Sequence, residues 1–289
     1  KSWFIDEFLN IEGAKPDIEF LKSIELKYNI DLWKIAINER QFYRFFGFHK
    51  FSQNEILILL EKEVKLFEMV LETTKPDFFI TKEPTRHTVE LLCQMCRAKG
   101  VKVLSLSNPK IAYRCMITQD SSKFDLMKNL TENDFENKSF DELENYLKSH
   151  SAVKQIGDYG KKHGKSKLNL IRAAVKYLFF NNNKNIKTHY NYFGRTKLRV
   201  LFYMINVTIR KKFRKKFIDK NLIKTVDLNT PFVYFSLGVD MERNILIGAP
   251  FYTNQIEIIR HLAKSIPINF KLYVKENPAQ SSREWRTIS

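Results

Sequence analysis

Apolar residues in the first half of the chain recur at helical spacing and then in a strand-like run. The helical pattern extends from Ser52 to residue 71, and Glu55, three residues after Ser52, completes a capping-box pattern. Pro76 ends that segment, and residues 77–81 (DFFIT) are a short apolar run typical of a buried strand. The pattern therefore predicts a long amphipathic helix followed by a strand.

The next two elements repeat this order. A helix is predicted to begin at Thr85 or Thr88 and to end at Gly100, because glycine favours helix C-termini. Residues 101–106 (VKVLSL) then form a second strand. Two strands joined by one helix through such short connections are expected to be parallel, and this unit is the building block of a Rossmann-like sheet.

The loop between the first strand and its helix, residues 82–87 (KEPTRH), carries charged side chains. Ligands of α/β proteins bind at the carboxyl ends of parallel strands, so Glu83, Arg86 and His87 are candidate site residues. Arg114, after the second strand, is a further candidate. The alternative is an ordinary charged turn in which Glu83 compensates the helix dipole.

The C-terminal part of the chain has the same pattern. Residues 231–239 (PFVYFSLGV) begin as a strand, and Asn254 starts a helix over residues 255–264. A second strand, residues 270–275, ends in the polar sequence Glu276, Asn277 and Pro278. The first strand is followed by an unusually long loop, which offers a ligand more backbone amides and side chains.

The net charge of +17 is concentrated in the centre of the chain. Residues 154–224 contain 20 Lys or Arg against 2 acids, a surplus of 18 that leaves the rest of the chain at −1. We therefore expect two nearly neutral domains, residues 1–150 and 229–289, joined by a basic helical connector or insertion, residues 151–228. Neither end of the sequence carries a start or stop signal, so we expect a fragment whose C-terminal domain is truncated.

Apolar residues are interleaved with the charges of the basic segment, notably in residues 168–180 and 198–216. Its uninterrupted apolar stretch is shorter than the roughly 20 residues that a bilayer span needs. Three interpretations remain open: a connector whose apolar face packs on a domain, attachment to an anionic membrane surface, and nucleic-acid binding. Nucleic acid is the least favoured, because no compact binding motif organises the aromatic and basic residues.

Three cysteines bear on the compartment and on metal binding. Cys93 and Cys96 form a CxxC pair within a helical pattern, and no second pair of Cys or His lies at ligand spacing, so we expect two core residues rather than a zinc or redox site. With Cys115 the number is odd, which favours a reducing compartment. We expect a cytoplasmic protein, peripheral on the inner face of the cell membrane, without a metal.

Several motifs resemble those of bacterial capsule and surface-polysaccharide glycosyltransferases of the Kdo-transferase-like type. In the C-terminal part these are YFSLG at residues 234–238, LAKSIP at 262–267 and KLYVKENP at 271–278, with Glu242, Gly248, Phe251, Asn254 and Gln255 between them. The N-terminal part is similar to the acceptor-side domain of the same family. The similar stretches there are LWKI at residues 32–35 followed by Arg40, KPDFFI at 75–80, and GVKVLSLSNPKIAYR at 100–114.

This resemblance implies an α/β fold of the GT-B type: two Rossmann-like domains, here with the second truncated, and a basic helical connector. It implies an active site in the cleft between the domains, no cofactor and no obligatory metal. The donor, a nucleotide sugar, would contact eight positions: Ser236, Gly238, Glu242, Gln255, Lys275, Glu276, Asn277 and Pro278. The family commonly has His where this chain has Asn277, and an amide donates only a neutral hydrogen bond to the leaving phosphate. We therefore expect weaker donor binding, with an inactive copy or a different donor as the alternative.

The reaction implied is attack of an acceptor hydroxyl on the anomeric carbon of the donor sugar, which extends a surface or capsular polysaccharide or a glycolipid. Glu83 is the candidate base, and Arg86, His87 and Arg114 are candidates for orienting the acceptor. A nucleotide-sugar epimerase of the same fold and a non-catalytic membrane-associated scaffold are alternatives. A basic nucleic-acid-binding protein is the third class.

Overall fold

A computed structural model describes residues 2–37, 39–43, 47–108, 115–120, 139–149, 158–159, 162, 167–180, 189–240, 242–246, 248–278 and 280. The chain divides into two compact units. Unit 1 contains Lys1–Pro16, Leu32–Leu60 and Asn183–Ser289, and unit 2 contains Asp17–Asp31 and Glu61–Asn182. The three domains expected from the charge distribution remain a prediction.

The structure is mixed α/β, as the hydrophobic pattern predicts. Its helices are α1 (Ile18–Tyr28), α2 (Leu32–Ile37), α3 (Arg40–Tyr43), α4 (Gln53–Thr74), α5 (His87–Ala98), α6 (Phe140–Ser149), α7 (Lys167–Phe180), α8 (Lys197–Asn221), α9 (Arg243–Leu246) and α10 (Gln255–Ser265). Its strands are β1 (Phe78–Lys82), β2 (Lys102–Ser107), β3 (Met116–Thr118), β4 (Phe232–Ser236) and β5 (Lys271–Lys275). Short 3-10 turns lie at Ile5–Glu7, Tyr190–Tyr192 and Pro250–Tyr252.

Helix α4 begins with the capping box that the sequence predicts. The Ser52 backbone N–H donates to Glu55 Oε2 at 2.7 Å, and the Glu55 N–H donates to Ser52 Oγ at 3.3 Å. These two bonds satisfy backbone donors that have no partner within the first turn of a helix. The helix contributes residues to both units, since the boundary falls after Leu60.

The sheet of unit 2 has the order β1-β2-β3. Strands β1 and β2 are parallel, with Phe78 opposite Lys102 and Lys82 opposite Leu106, and α5 connects them. This confirms the predicted strand-helix-strand unit. Strand β3, which pairs antiparallel with β2, was not expected, because its three residues carry too little alternation to be recognised from sequence.

The two faces of this sheet differ in exposure. Alternate residues of β2 are buried, namely Val103, Ser105 and Ser107, and α5 packs against that strand. The opposite face is exposed at Phe78 (56%), Ile80 (64%) and Ile117 (61%). A parallel sheet is normally covered on both faces, so the exposure of these three residues, among those that the structure describes, departs from the Rossmann-like expectation.

Cys93 and Cys96 lie in the core of unit 2, as predicted. Both are fully buried on α5 and neither forms a disulfide. Burial raises the pKa of the Cys93 thiol to about 12 and that of Cys96 to about 11, because a thiolate would lose its hydration. Both therefore remain neutral, unreactive thiols at neutral pH.

An aromatic cluster joins distant parts of unit 1. The Phe51 ring lies 5.2 Å from Phe42, 6.4 Å from Tyr190 and 6.0 Å from Phe193, centroid to centroid. Gly194 follows with φ of +68°, and a Cβ atom there would lie 2.3 Å from the Phe48 carbonyl oxygen. Only glycine therefore fits at residue 194, where the chain turns towards α8.

The second sheet consists of β4 and β5, which are parallel from Phe232 opposite Lys271 to Ser236 opposite Lys275. Helix α10 connects them, and the Asn254 side chain caps it by accepting a hydrogen bond from the Glu257 N–H at 3.4 Å. This confirms the predicted C-terminal strand-helix-strand unit and the helix start at Asn254.

Among the described residues, no helix combines the length and the apolar character needed to cross a bilayer.

Asp227 lies near the start of β4 and β5 and accepts several hydrogen bonds there, so its contribution to stability should depend on pH. Its carboxylate accepts hydrogen bonds from Lys271 Nζ at 2.8 Å, the Asn229 N–H at 3.0 Å and Thr230 Oγ1 at 2.9 Å. These bonds, that from Lys271 above all, lower the pKa of Asp227 to about 2 from an ordinary value of 3.8. Since the folded pKa is the lower one, the stabilisation is complete above the ordinary value and is lost as pH falls towards about 2.

We therefore expect the difference in Tm between the wild type and Asp227→Asn to be constant above about pH 5 and to shrink between about pH 4 and 2. A Lys271→Gln variant should raise the titration midpoint of Asp227, measured by carboxyl NMR, because it removes the first of the three donors. A Tm difference that stays the same down to pH 2 would contradict this assignment.

Candidate functional site

The carboxyl edge of β4 and β5 brings several of the predicted donor residues together. Ser236 and Lys275 are direct partners in the strand register, and the Leu237 N–H donates to the Lys275 carbonyl at 3.0 Å. Glu276, Asn277 and Pro278 follow from β5 at the same edge. Parallel pairing with an intervening helix produces this convergence, and such an edge is where α/β proteins bind ligands.

Gln255 holds the loop after β4 in place. Its side chain is 4% exposed, and Oε1 accepts a hydrogen bond from the Gly238 N–H at 2.8 Å. The Nε2 group donates to the Gly238 carbonyl at 3.2 Å and to Asp240 Oδ1 at 2.8 Å. The amide thus uses both its acceptor and its donors within the protein, so Gln255 orders the loop that a donor would meet.

Asp240 and Gln280 complete this polar cluster, and neither was singled out from sequence. The Asp240 N–H donates to Gln280 Oε1 at 3.2 Å, and the two residues are 5% and 3% exposed. An acid four residues beyond the end of an apolar strand is a weak signal that would have suggested Asp240. Gln280 has no local signal, because only the folded chain places it beside the loop.

Gly238 is surrounded closely. A Cβ atom at this position would lie 3.1 Å from Ile245 Cδ1 and 3.3 Å from its Cγ1. The Ile245 side chain would have to shift for any larger residue, so the absence of a side chain lets the loop pack over α9. Glu242, which is exposed, precedes α9, and its carbonyl accepts from the N–H groups of Ile245 and Leu246 at 3.0 Å each.

The end of β5 presents a mixed polar surface. Lys275 and Pro278 are exposed, whereas Glu276 and Asn277 are half-buried. The Asn277 N–H donates to Glu276 Oε1 at 2.6 Å, a local bond that turns the chain directly after the strand. The side chains of Lys275 and Asn277 are the groups here that can donate hydrogen bonds to an anionic ligand.

A cavity of about 650 Å³ lies beside this edge, between the sheet and the end of α8. Its lining is mainly apolar and aromatic, with Phe232, Tyr234 and Tyr273 from the sheet and Leu222 and Ile223 from the chain after α8. Lys275, Glu276 and Pro278, three predicted donor residues, also line it, together with Lys224. An apolar cavity with a few polar groups has the general form of a small-molecule site.

The acceptor-side candidates lie in unit 2, whereas the donor candidates lie in unit 1. Glu83 follows β1, and its N–H donates to the Leu106 carbonyl at 3.2 Å, which extends the β1-β2 pairing by one residue. Arg86 is the exposed N-cap residue of α5 and makes no side-chain capping bond. Arg114 lies outside the described residues. The roles assigned to these side chains remain predictions.

His87 is buried, with 2% of its surface exposed, and pairs with Glu63 of α4. Its Nε2 lies 3.0 Å from Glu63 Oε1, and Thr88 Oγ1 donates to the same oxygen at 3.1 Å. The second oxygen, Glu63 Oε2, has no hydrogen-bond partner among the described residues. The position of His87 at the start of α5 is therefore stabilised from inside unit 2, through a residue that the sequence analysis missed.

The sequence pattern of α4 could have indicated Glu63 as a buried, partnered residue. It occupies a position within the apolar pattern of α4, next to Val64, where an unpartnered charge would be costly.

Three buried hydroxyls of the unit 2 sheet, those of Ser105, Ser107 and Thr118, have no hydrogen-bond partner in the part of the chain that the structure describes. Strand β2 thus carries polar groups into the buried face of its sheet.

No group of three His, Cys, Asp or Glu side chains in the described ranges has the arrangement of a metal site.

The bonds of Gln255 predict a large effect of Gln255→Glu. A carboxylate oxygen would replace the amide donor and face the Gly238 carbonyl and the Asp240 carboxylate in a buried position. We expect the free energy of unfolding, measured with urea, to fall by about 3 kcal/mol.

Gln94→Glu is the matched control. Gln94 also donates to a carboxylate, Glu90 Oε1 at 2.9 Å, but within one turn of α5 and partly in water. The free energy of unfolding of Gln94→Glu should therefore fall by less than about 1 kcal/mol. Equal losses in the two variants would show that Gln255 does not order the loop.

Comparison of the chain with protein-family models, with curated proteins and with solved structures found no match.

Proposed function

We propose that the protein is a glycosyltransferase that binds a nucleotide-activated sugar at the carboxyl edge of β4 and β5. The observation that carries the proposal is the pairing of Ser236 with Lys275 at that edge, beside a loop that Gln255 holds in place. The resemblance of KLYVKENP, residues 271–278, to capsule and surface-polysaccharide glycosyltransferases supports the same position. The corresponding fold is a GT-B arrangement of two Rossmann-like domains.

Lys275 supplies a positive charge for the phosphate of the donor. Its ammonium group is exposed at the strand end, and a hydrogen bond between ions is about twice as strong as one between neutral groups. Asn277 donates a neutral hydrogen bond to the leaving phosphate, and Ser236 donates from the neighbouring strand. The rings of Tyr234 and Tyr273 in the adjacent cavity offer flat apolar surfaces suited to a nucleobase.

The acceptor hydroxyl is part of a growing polysaccharide or glycolipid and attacks the anomeric carbon of the donor. Glu83 accepts the proton of that hydroxyl, and the nucleotide leaves from the anomeric carbon with the bonding electrons. Arg86 and Arg114 orient the acceptor. His87 contributes through its bond with Glu63, which stabilises the start of α5 next to this loop.

A non-catalytic scaffold is the second candidate, and Asn277 is the observation that favours it. An amide cannot carry the positive charge that an imidazole brings to the leaving group, so such a chain would bind a nucleotide sugar without transferring it. A nucleotide-sugar epimerase would bind the same donor and convert it without any acceptor.

Lys275→Ala tests the donor site. Isothermal titration with CMP, UDP and GDP sugars should show binding of one class, and the variant should weaken it at least about tenfold, the value of one charge-assisted hydrogen bond. Lys264→Ala, which removes an exposed lysine of α10, is the control and should leave the affinity unchanged. Wild-type affinity in Lys275→Ala would remove Lys275 from the site.

Glu83→Gln tests the transfer step. With donor and acceptor present, we expect the variant to lose at least about a hundredfold in turnover, the usual contribution of a general base, while donor affinity is retained. Glu257→Gln, on the exposed surface of α10, serves as the control. Full turnover in Glu83→Gln would refute its role as base, and product formed without acceptor would indicate an epimerase.

A further inference from the structure

Helix α8 carries an apolar stripe that is exposed along its first four turns. Five residues at spacings of four, three, four and four lie on one side of the helix, with exposed fractions of 64%, 71%, 57%, 48% and 72%: Leu198, Phe202, Ile205, Ile209 and Phe213. The stripe is roughly 22 Å long at the rise of an α-helix. Exposed apolar groups in such a continuous row are typical of an interaction surface.

Another side of α8 packs within unit 1, so the orientation of the helix is defined. The Tyr203 ring lies 5.0 Å from the Phe48 ring, and Arg214 is 4% exposed. The Thr196 side chain caps the helix by accepting from the Arg199 N–H at 3.4 Å. The outward stripe is therefore a second apolar surface, separate from the one that attaches α8 to its unit.

The charges of α8 specify the chemistry of what covers the stripe. The helix contains nine Lys or Arg and one acid, Asp219. Three exposed lysines, Lys212, Lys216 and Lys220, follow at four-residue spacing and continue the side on which the stripe lies. The partner surface is thus apolar beside the first part of the helix and anionic beside the last turns.

A second copy of this chain matches the stripe but not the lysines, because its α8 supplies another cationic surface where an anionic one is required. Nucleic acid matches the lysines but not the stripe, since Leu198, Ile205 and Ile209 offer aliphatic side chains where base stacking uses aromatic ones. The interface of an anionic bilayer satisfies both requirements: acyl chains accept the apolar side chains, and headgroups bind the lysines.

We infer that α8 binds an anionic phospholipid surface, with the stripe inserted at the boundary of headgroups and acyl chains and with the lysines on the phosphates. Helix α7, in the same basic segment, exposes a comparable set of apolar residues: Leu168, Ile171, Val175 and Phe179. This inference is independent of the proposed sugar transfer, because it involves none of the residues of the donor site.

Vesicle flotation with the full chain tests the stripe. The wild type should bind vesicles containing roughly a third phosphatidylserine at low salt, and bind pure phosphatidylcholine vesicles at least about tenfold less. The double variant Phe202→Ser with Phe213→Ser should lose about tenfold or more on the anionic vesicles, because binding scales with the inserted apolar area. Both residues are exposed, so circular dichroism and Tm should remain those of the wild type.

Phe140→Ser is the matched control. Phe140 is 78% exposed at the start of α6, but Asp141 and Glu142 follow it, so its loss should leave vesicle binding unchanged. A change of the same size in Phe140→Ser and in the stripe variant would overturn the assignment to α8.

The electrostatic part has its own variant. Lys212→Gln with Lys216→Gln should weaken binding to anionic vesicles about fivefold per lysine at low salt, and the difference should decrease in high salt. Lys264→Gln, an exposed lysine on α10, should have no effect.

Insertion is measured with Ile205→Trp, whose fluorescence should shift to the blue when anionic vesicles are added. Unchanged vesicle binding in the stripe variant would overturn the inference. A wild-type dimer in light scattering that the stripe variant converts to a monomer would also overturn it. The same holds if the wild type binds RNA or DNA tightly at physiological salt and does not float with vesicles.

Discussion

Parallel pairing of neighbouring strands is the constraint on which both sheets depend. A parallel pair cannot be closed by a tight turn, so the chain must return along the sheet before it can form the second strand. Helix α5 does this between β1 and β2, and α10 does it between β4 and β5. As a result both strands of each pair end at the same edge, and residues about forty positions apart, such as Ser236 and Lys275, become neighbours.

Local signals accounted for much of the fold. Ser52 with Glu55, Gly100 and Asn254 mark helix ends through bonds or backbone angles that involve only nearby residues, and the structure has these ends within one or two residues of the predicted positions. The aromatic cluster around Phe51 gave no such signal, because its members lie some 140 positions apart. The antiparallel strand β3 was too short to show a period.

The residues at the β4-β5 edge were predictable from sequence, but the partners that hold them were not. Strand ends indicated Lys275 and its neighbours, since edge residues follow from the order of elements alone. Gln255 bonds to Gly238 and Asp240, and its contact with a donor stays a prediction. Glu63, which bonds to His87, lies within an apolar pattern that gave no sign of its partner. A buried polar group obtains its hydrogen-bond partner through packing. The sequence pattern shows the polar residue but not the distant residue with which it bonds.

The two ends of the β4-β5 sheet are secured by different chemistry. Asp227 holds one end with bonds exposed to water, and Gln255 holds the other with a buried amide. The loop between Asp240 and Asn254 is thus attached at both ends, and within it Ile245 packs near Gly238 and Leu246 is buried. Phe251 and Tyr252 are instead exposed, so these positions can change in sequence while the sheet and its attachments persist.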